Sequence, residues 1–138
     1  MNKCKLVIIA LIVCISSFCL AGCEGNYAKE EKVKDADFTV VGQENIPEQL
    51  MEMINDKKEE PFKITYSDKT NLYIVVGYGA QPTSGYSISV KEFYESENNF
   101  YLKTLLKGPS KTDVVNQEIT YPYIVLMLED TGKPIRFD

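Results

Sequence analysis

Two apolar runs, LYIVVGY (72–78) and TYPYIVLML (120–128), restrict the fold of this chain more than any other feature. A strand with one wet face alternates apolar and polar residues, whereas an unbroken apolar run needs cover on both faces. Leu72–Tyr78 is therefore expected to be a central strand. The 120–128 run is expected to be a second, largely buried one, with Pro122 near its start, where a lost backbone donor is tolerated. Flanking segments alternate instead. Phe62, Ile64 and Tyr66 are interleaved with Lys63 and Thr65, and Tyr86, Ile88 and Val90 with Ser87, Ser89 and Lys91. Phe100, Leu102 and Leu106 lie on a further strand, and FTVV (38–41) and a last segment ending at Phe137 are short ones. Ile46, Leu50, Met53 and Ile54 recur at helical spacing, with Pro47 in the first turn, Lys57 and Lys58 at the end and Pro61 as the stop. That pattern predicts a helix over about 46–58, with its methionines as core filling. The expected fold class is α+β, one helix packed on a mostly antiparallel β-sheet or small barrel.

Location is written in the first 23 residues. Lys3 and Lys5 precede an apolar stretch from Leu6 to Leu20, followed by LAGC at 20–23. A basic start, a short apolar core and small residues before a cleavage point describe a signal peptide. Cysteine directly after Leu-Ala-Gly resembles a bacterial lipoprotein signal, which implies lipidation of Cys23 as the first mature residue. The alternative is an uncleaved membrane anchor, since 6–23 spans 18 residues. Either reading puts the rest of the chain outside the cytoplasm, on the outer face of the cytoplasmic membrane or on an outer membrane. Cys4, Cys14 and Cys19 leave with the signal, so the mature chain has no disulfide to staple it. Its 116 residues after position 22 suit one domain. All 20 acidic residues and 13 of the 15 basic ones lie in that mature part, giving a net charge of −7. The absence of a basic patch argues against a nucleic-acid partner. Residues 23–37, polar and charged with both signs, read as a flexible tether of roughly 20 Å span, followed by a domain over 38–138.

Strand direction brings certain loops together. If sequence neighbours run antiparallel, loop 79–85, the long loop 107–118 and the junction 59–61 share one edge, here termed the top. The tight turns 67–71, 95–99 and 129–133 share the other. Long loops on one edge of a rigid scaffold are the usual setting of a binding surface.

Little in the composition supports catalysis. There is no histidine, which removes Ser-His and Cys-His nucleophilic systems and makes zinc or copper sites improbable, so no metal and no cofactor is expected. Asp130-Thr131-Gly132 matches a short aspartic-protease motif, but Lys133 and Pro134 follow it, and a hairpin turn is the better reading. Ser84, Ser87, Ser110 and Lys111 could suggest a Ser-Lys dyad, yet serines beside Gly or Pro are ordinary turn residues. The chain is expected not to be an enzyme.

The segment YIVVGYGAQPTSGYSISV (73–90), joined to EITYPYIVLML (118–128), resembles the PrcB family of protease complex subunits. The matching positions are Gly79, Pro82, Thr83, Gly85, Tyr86, Pro122 and Tyr123, with Ser84 where a glycine is frequent, and the resemblance spans about 62–137. It implies a non-catalytic accessory protein associated with an exported protease. The same turn is similar to the Asn-Pro-Thr-Thr-Gly-Tyr loop of chagasin-like protease inhibitors, with Gln81 in place of Asn. Gln81, Pro82, Thr83, Ser84 and Tyr86 are accordingly the candidate partner-binding residues. Their structural alternative is a plain turn: Gly79 and Gly85 permit positive φ, Pro82 fixes the bend, and Tyr86 joins Ile88 and Val90 in the core. The leading expectation is a lipid-anchored accessory subunit. An inhibitor and a ligand-binding or envelope-structural lipoprotein are the alternatives.

Overall fold

The structure, a computed structural model, describes residues 28–138. The expected signal peptide and the lipidation site Cys23 lie outside the described residues. Strands β1 (Lys34–Asp35) and β2 (Thr39–Val40) lead through a short 3-10 turn at Gln43–Asn45 into helix α1 (Glu48–Lys57). Then follow β3 (Pro61–Asp68), β4 (Asn71–Tyr78), β5 (Ser87–Glu95), β6 (Phe100–Lys107), β7 (Tyr123–Glu129) and β8 (Ile135–Phe137). No helix among the described residues is long and apolar enough to cross a membrane.

The strands form two four-stranded sheets, ordered β1-β5-β6-β8 and β2-β7-β4-β3, and not the single sheet or closed barrel expected. Every pairing is antiparallel except β6 with β8. One core lies between the sheets: Leu72, Ile74 and Val76 of β4 and Leu126 and Leu128 of β7 meet Phe93, Phe100 and Leu102. A second core lies on the opposite face of β4 and β7, where Tyr73, Val75 and Val125 cluster with Leu50 and Ile54 of α1. This double cover is why β4 is unbroken in its apolar character. Its even-numbered side chains serve one core and its odd-numbered ones the other, as the two-residue strand period requires. Gly77 breaks the series for a steric reason. Phe62 is its cross-strand partner, and a Cβ at residue 77 would lie 2.2 Å from the Phe62 ring.

Two expectations need correction. The 130–132 turn does not close a hairpin, because β8 pairs with β6 in the other sheet, so the turn is a crossover. Asp130 holds it by accepting from the Gly132 N–H at 2.9 Å and from the Ser67 hydroxyl. The second correction concerns the segment read as a tether to residue 37. From Lys29 onward it lies on the domain. β1 pairs with the end of β5, with Val33 N–H donating to Glu95 O at 2.8 Å and Ala36 N–H to Phe93 O at 3.0 Å. Ala36 and Phe38 pack against the inter-sheet core. Composition concealed this docking because polar contacts, not an apolar pattern, make most of it.

Candidate functional site

Loop 79–86 carries the chain from the β2-β7-β4-β3 sheet to the other sheet, and loop 108–122 carries it back. The two crossovers meet. Gln81 and Thr120 form an isolated antiparallel bridge, with Gln81 N–H to Thr120 O at 2.8 Å and Thr120 N–H to Gln81 O at 3.0 Å. Further along, Ser84 N–H donates to Asn116 O at 3.0 Å, and Asn116 N–H returns a bond to Ser84 Oγ at 2.8 Å. Thr120 Oγ1 donates to Thr83 O at 2.7 Å. The junction after α1 joins them through Ala80 N–H to Glu59 O at 3.1 Å. The three segments assigned to one edge from strand direction are thus hydrogen-bonded neighbours.

Backbone geometry explains the glycines here. Gly79 and Gly85 have φ of 72° and 88°, left-handed values that favour glycine. A Cβ at residue 85 would also lie 3.0 Å from both Pro109 Cβ and Val115 Cγ1, so the loops approach each other closely at this point.

The five candidate residues divide by what their side chains do. Pro82 is exposed at the tip. Gln81 turns its side chain inward, donating from Nε2 to Tyr78 O at 3.1 Å. Thr83 Oγ1 donates to Ser84 O at 2.9 Å, and Ser84 Oγ is engaged by Asn116, so both hydroxyls have structural partners. Tyr86, a core aromatic on the alternative reading of this turn, belongs to neither core cluster. It is half-buried, with its ring 3.2 Å from where a Cβ of residue 108 would stand.

Sequence reasoning missed the apolar residues of the long loop. Val114 is fully exposed and Ile119 is 63 % exposed, whereas large aliphatic side chains in a monomer are mostly covered. Val114 adjoins Val115, which packs on Gly85, and Ile119 adjoins the bridging Thr120. An aliphatic pair within KTDVVNQEI was the available signal. The loop itself is shaped by Asp113, which accepts from Ser110 N–H at 2.7 Å. The Ser110 backbone and hydroxyl hold the Asp113 carboxyl below its usual range. Beside the edge, a groove of about 340 Å³ is lined by Val40, Val41, Ile46, Tyr121, Pro122 and Tyr123, and the Lys58 ammonium lies 5.3 Å from the Tyr121 ring centre. Burial raises the Tyr123 hydroxyl above its ordinary pKa. The described residues contain no group of three His, Cys, Asp or Glu side chains arranged to hold a metal ion. The edge therefore offers shape, apolar contact and backbone polarity.

Comparison with known proteins agrees with the strand pattern. The family model described as PrcB C-terminal matches residues 72–129. No curated protein and no solved structure matches the chain. The matched stretch runs from β4 to β7, the four inner strands of the two sheets, together with both top crossovers. Strands β1, β2, β3 and β8 at the sheet edges, and α1, lie outside the match. Over residues 72–129 this chain is thus similar to the PrcB C-terminal family.

Proposed function

We propose that the protein is a lipid-anchored, non-catalytic accessory subunit that binds an exported protease through its top edge. The similarity of residues 72–129 to the PrcB C-terminal family supports a protease-complex role, and the lipoprotein-like LAGC at 20–23 supports attachment to the outer face of a membrane through Cys23. One observation carries the choice of surface. The Gln81–Thr120 bridge fuses two crossover loops into a single edge that leaves Pro82, Val114 and Ile119 exposed. Rigid loops presenting aliphatic side chains suit a protein partner, since exposed apolar groups on a fixed scaffold mark contact surfaces.

A photo-crosslinking residue at position 114 or 82, used in intact cells, tests this directly. Capture of an exported protease at these sites, and not from Glu52 on α1, is the expected result. Equal capture from all three, or none from the top edge, overturns it. A second reading, inhibition, is favoured by the two-sheet packing, in which the 79–85 loop crosses from one sheet to the other at the top edge and leaves Pro82 exposed. Titration with the captured protease separates the two. An accessory subunit raises its activity or yield, and an inhibitor abolishes proteolysis at one equivalent.

A further inference from the structure

The outer edge of β7 is only partly paired. Tyr78 N–H donates to Pro122 O at 3.0 Å, so the even-numbered residues of β7 turn their backbone groups toward β4 and the odd-numbered ones toward the opposite edge. On that edge β2 pairs with Leu126 and Met127, and the last bond of the ladder runs from Val41 N–H to Val125 O at 2.9 Å. Gly42 then leads the chain away into the 3-10 turn at Gln43–Asn45. Three backbone groups are left over. The Val125 N–H and the N–H and C=O of Tyr123 have no hydrogen-bond partner among the described residues. Val125 is 2 % exposed, and a buried backbone donor without an acceptor is rare. Tyr123 and Val125 line the groove of about 340 Å³ beside the top edge, together with Val41, Gln43 and Ile46.

We infer that this groove binds the C-terminal end of an extended peptide chain, which adds to β7 as a short parallel strand. The inference goes beyond the top-edge contact proposed above and does not need the partner to be a protease. Free backbone groups two residues apart on a strand edge call for an extended backbone. A parallel chain satisfies all three. One of its carbonyls accepts from Tyr123 N–H, and the residue two further on donates its N–H to Tyr123 O and gives an oxygen to Val125 N–H. The chain must stop there, because Val40 and Val41 already occupy the edge beyond. A buried donor at the closed end suits a carboxylate. An antiparallel chain would bring its N-terminal ammonium to the same place, where Val125 O is already taken by Val41. Val40, Val41, Ile46 and Pro122 give the groove aliphatic walls that suit an aliphatic last side chain. The Lys58 ammonium, 5.3 Å from the ring centre of the lining Tyr121, adds positive charge beside it. Tyr121 follows the bridging Thr120, so the groove is continuous with the top edge.

The test titrates the full chain, in detergent micelles, with a pool of N-acetylated hexapeptides that end in valine, leucine or isoleucine with a free carboxylate. Backbone amide NMR reads the site. The Tyr123 and Val125 resonances should move downfield as their N–H groups gain acceptors. The same pool made as C-terminal amides should bind about tenfold or more weakly, the worth of one charge-assisted hydrogen bond. Val40→Glu, at an exposed position lining the groove, should weaken binding of the free acids, and Val40→Lys should strengthen it. Equal binding of acid and amide pools overturns the C-terminal assignment. No shift at either amide with millimolar peptide overturns the site. Hydrogen exchange in the peptide-free chain gives a second reading: the Val125 amide should exchange faster than that of Leu126, which pairs with β4. Equal protection would show that the Val125 donor is already engaged and overturns the inference. Because the probes are peptides, failure here leaves capture of a protease at the top edge untouched.

Discussion

Gly77→Ala should destabilise the domain, although alanine is the better strand residue in isolation. Removing a strand-interior glycine ordinarily adds about 0.5–1 kcal/mol of stability by lowering backbone entropy in the unfolded chain. Here the new methyl would stand 2.2 Å from Phe62 Cε1, 2.6 Å from Cδ1 and 2.8 Å from Cζ. Three overlaps with one ring face cannot be absorbed by a small shift, so the ring must leave its cross-strand seat. Forced side-chain displacement of this kind costs about 1–3 kcal/mol. The steric cost exceeds the entropic gain, and a net loss of about 1–2 kcal/mol follows, or a fall in melting temperature of roughly 5–15 °C for a domain of this size. Phe62 is only half-buried at the β3 edge, which keeps the loss below that of a sealed core site. The decisive assay is a thermal and urea double-mutant cycle with Phe62→Ala. In that background the methyl meets open space, and Gly77→Ala should become neutral or stabilising, giving a coupling of about 1–3 kcal/mol. A Gly77→Ala penalty of the same size in both backgrounds would refute the reasoning.

Ile54→Ala, at a fully buried position of α1 beneath Val75 and Val125, should cost about 2–5 kcal/mol in urea unfolding; a loss below 1 kcal/mol would mean the helix contributes little to the second core. Ser84→Ala should cost about 1 kcal/mol and raise amide exchange at Asn116, whose N–H loses its acceptor, so unchanged protection there would show that the loops are joined elsewhere. Glu30 titrates at about 2 in the fold against an ordinary 4.5. Its stabilising contribution is thus complete above the ordinary value and lost as pH falls from there toward 2. Amide exchange at Val33 and Ala36 should accelerate across that window, and Glu30→Gln should flatten the response; an identical pH profile for the variant would show that this carboxylate does not hold the N-terminal arm.

The elements of this fold were legible one at a time because each is a local pattern. Helical spacing of Leu50 and Ile54 located α1, and unbroken apolar character marked β4 as doubly covered, as the two core clusters bear out. Turn residues and strand directions sufficed to bring loops 79–85 and 107–118 to one edge, since an antiparallel ladder leaves no other place for them. Partition into two sheets was not legible. Period-two alternation says which face of β5 is buried but not whether it faces helix or sheet, and that choice is made by the crossovers after β4 and β6. Exposure of Val114 and Ile119 is likewise a property of loop placement that no local pattern encodes. The arm shows the difference most sharply. Lys29 and Glu30 look like tether residues, and their partners Glu92, Ser96, Asn99 and Asp138 lie 63 to 109 positions away. Charge and hydrogen-bonding capacity are visible in a sequence, but only the assembled β5–β6 hairpin places those groups where a polar arm can satisfy them.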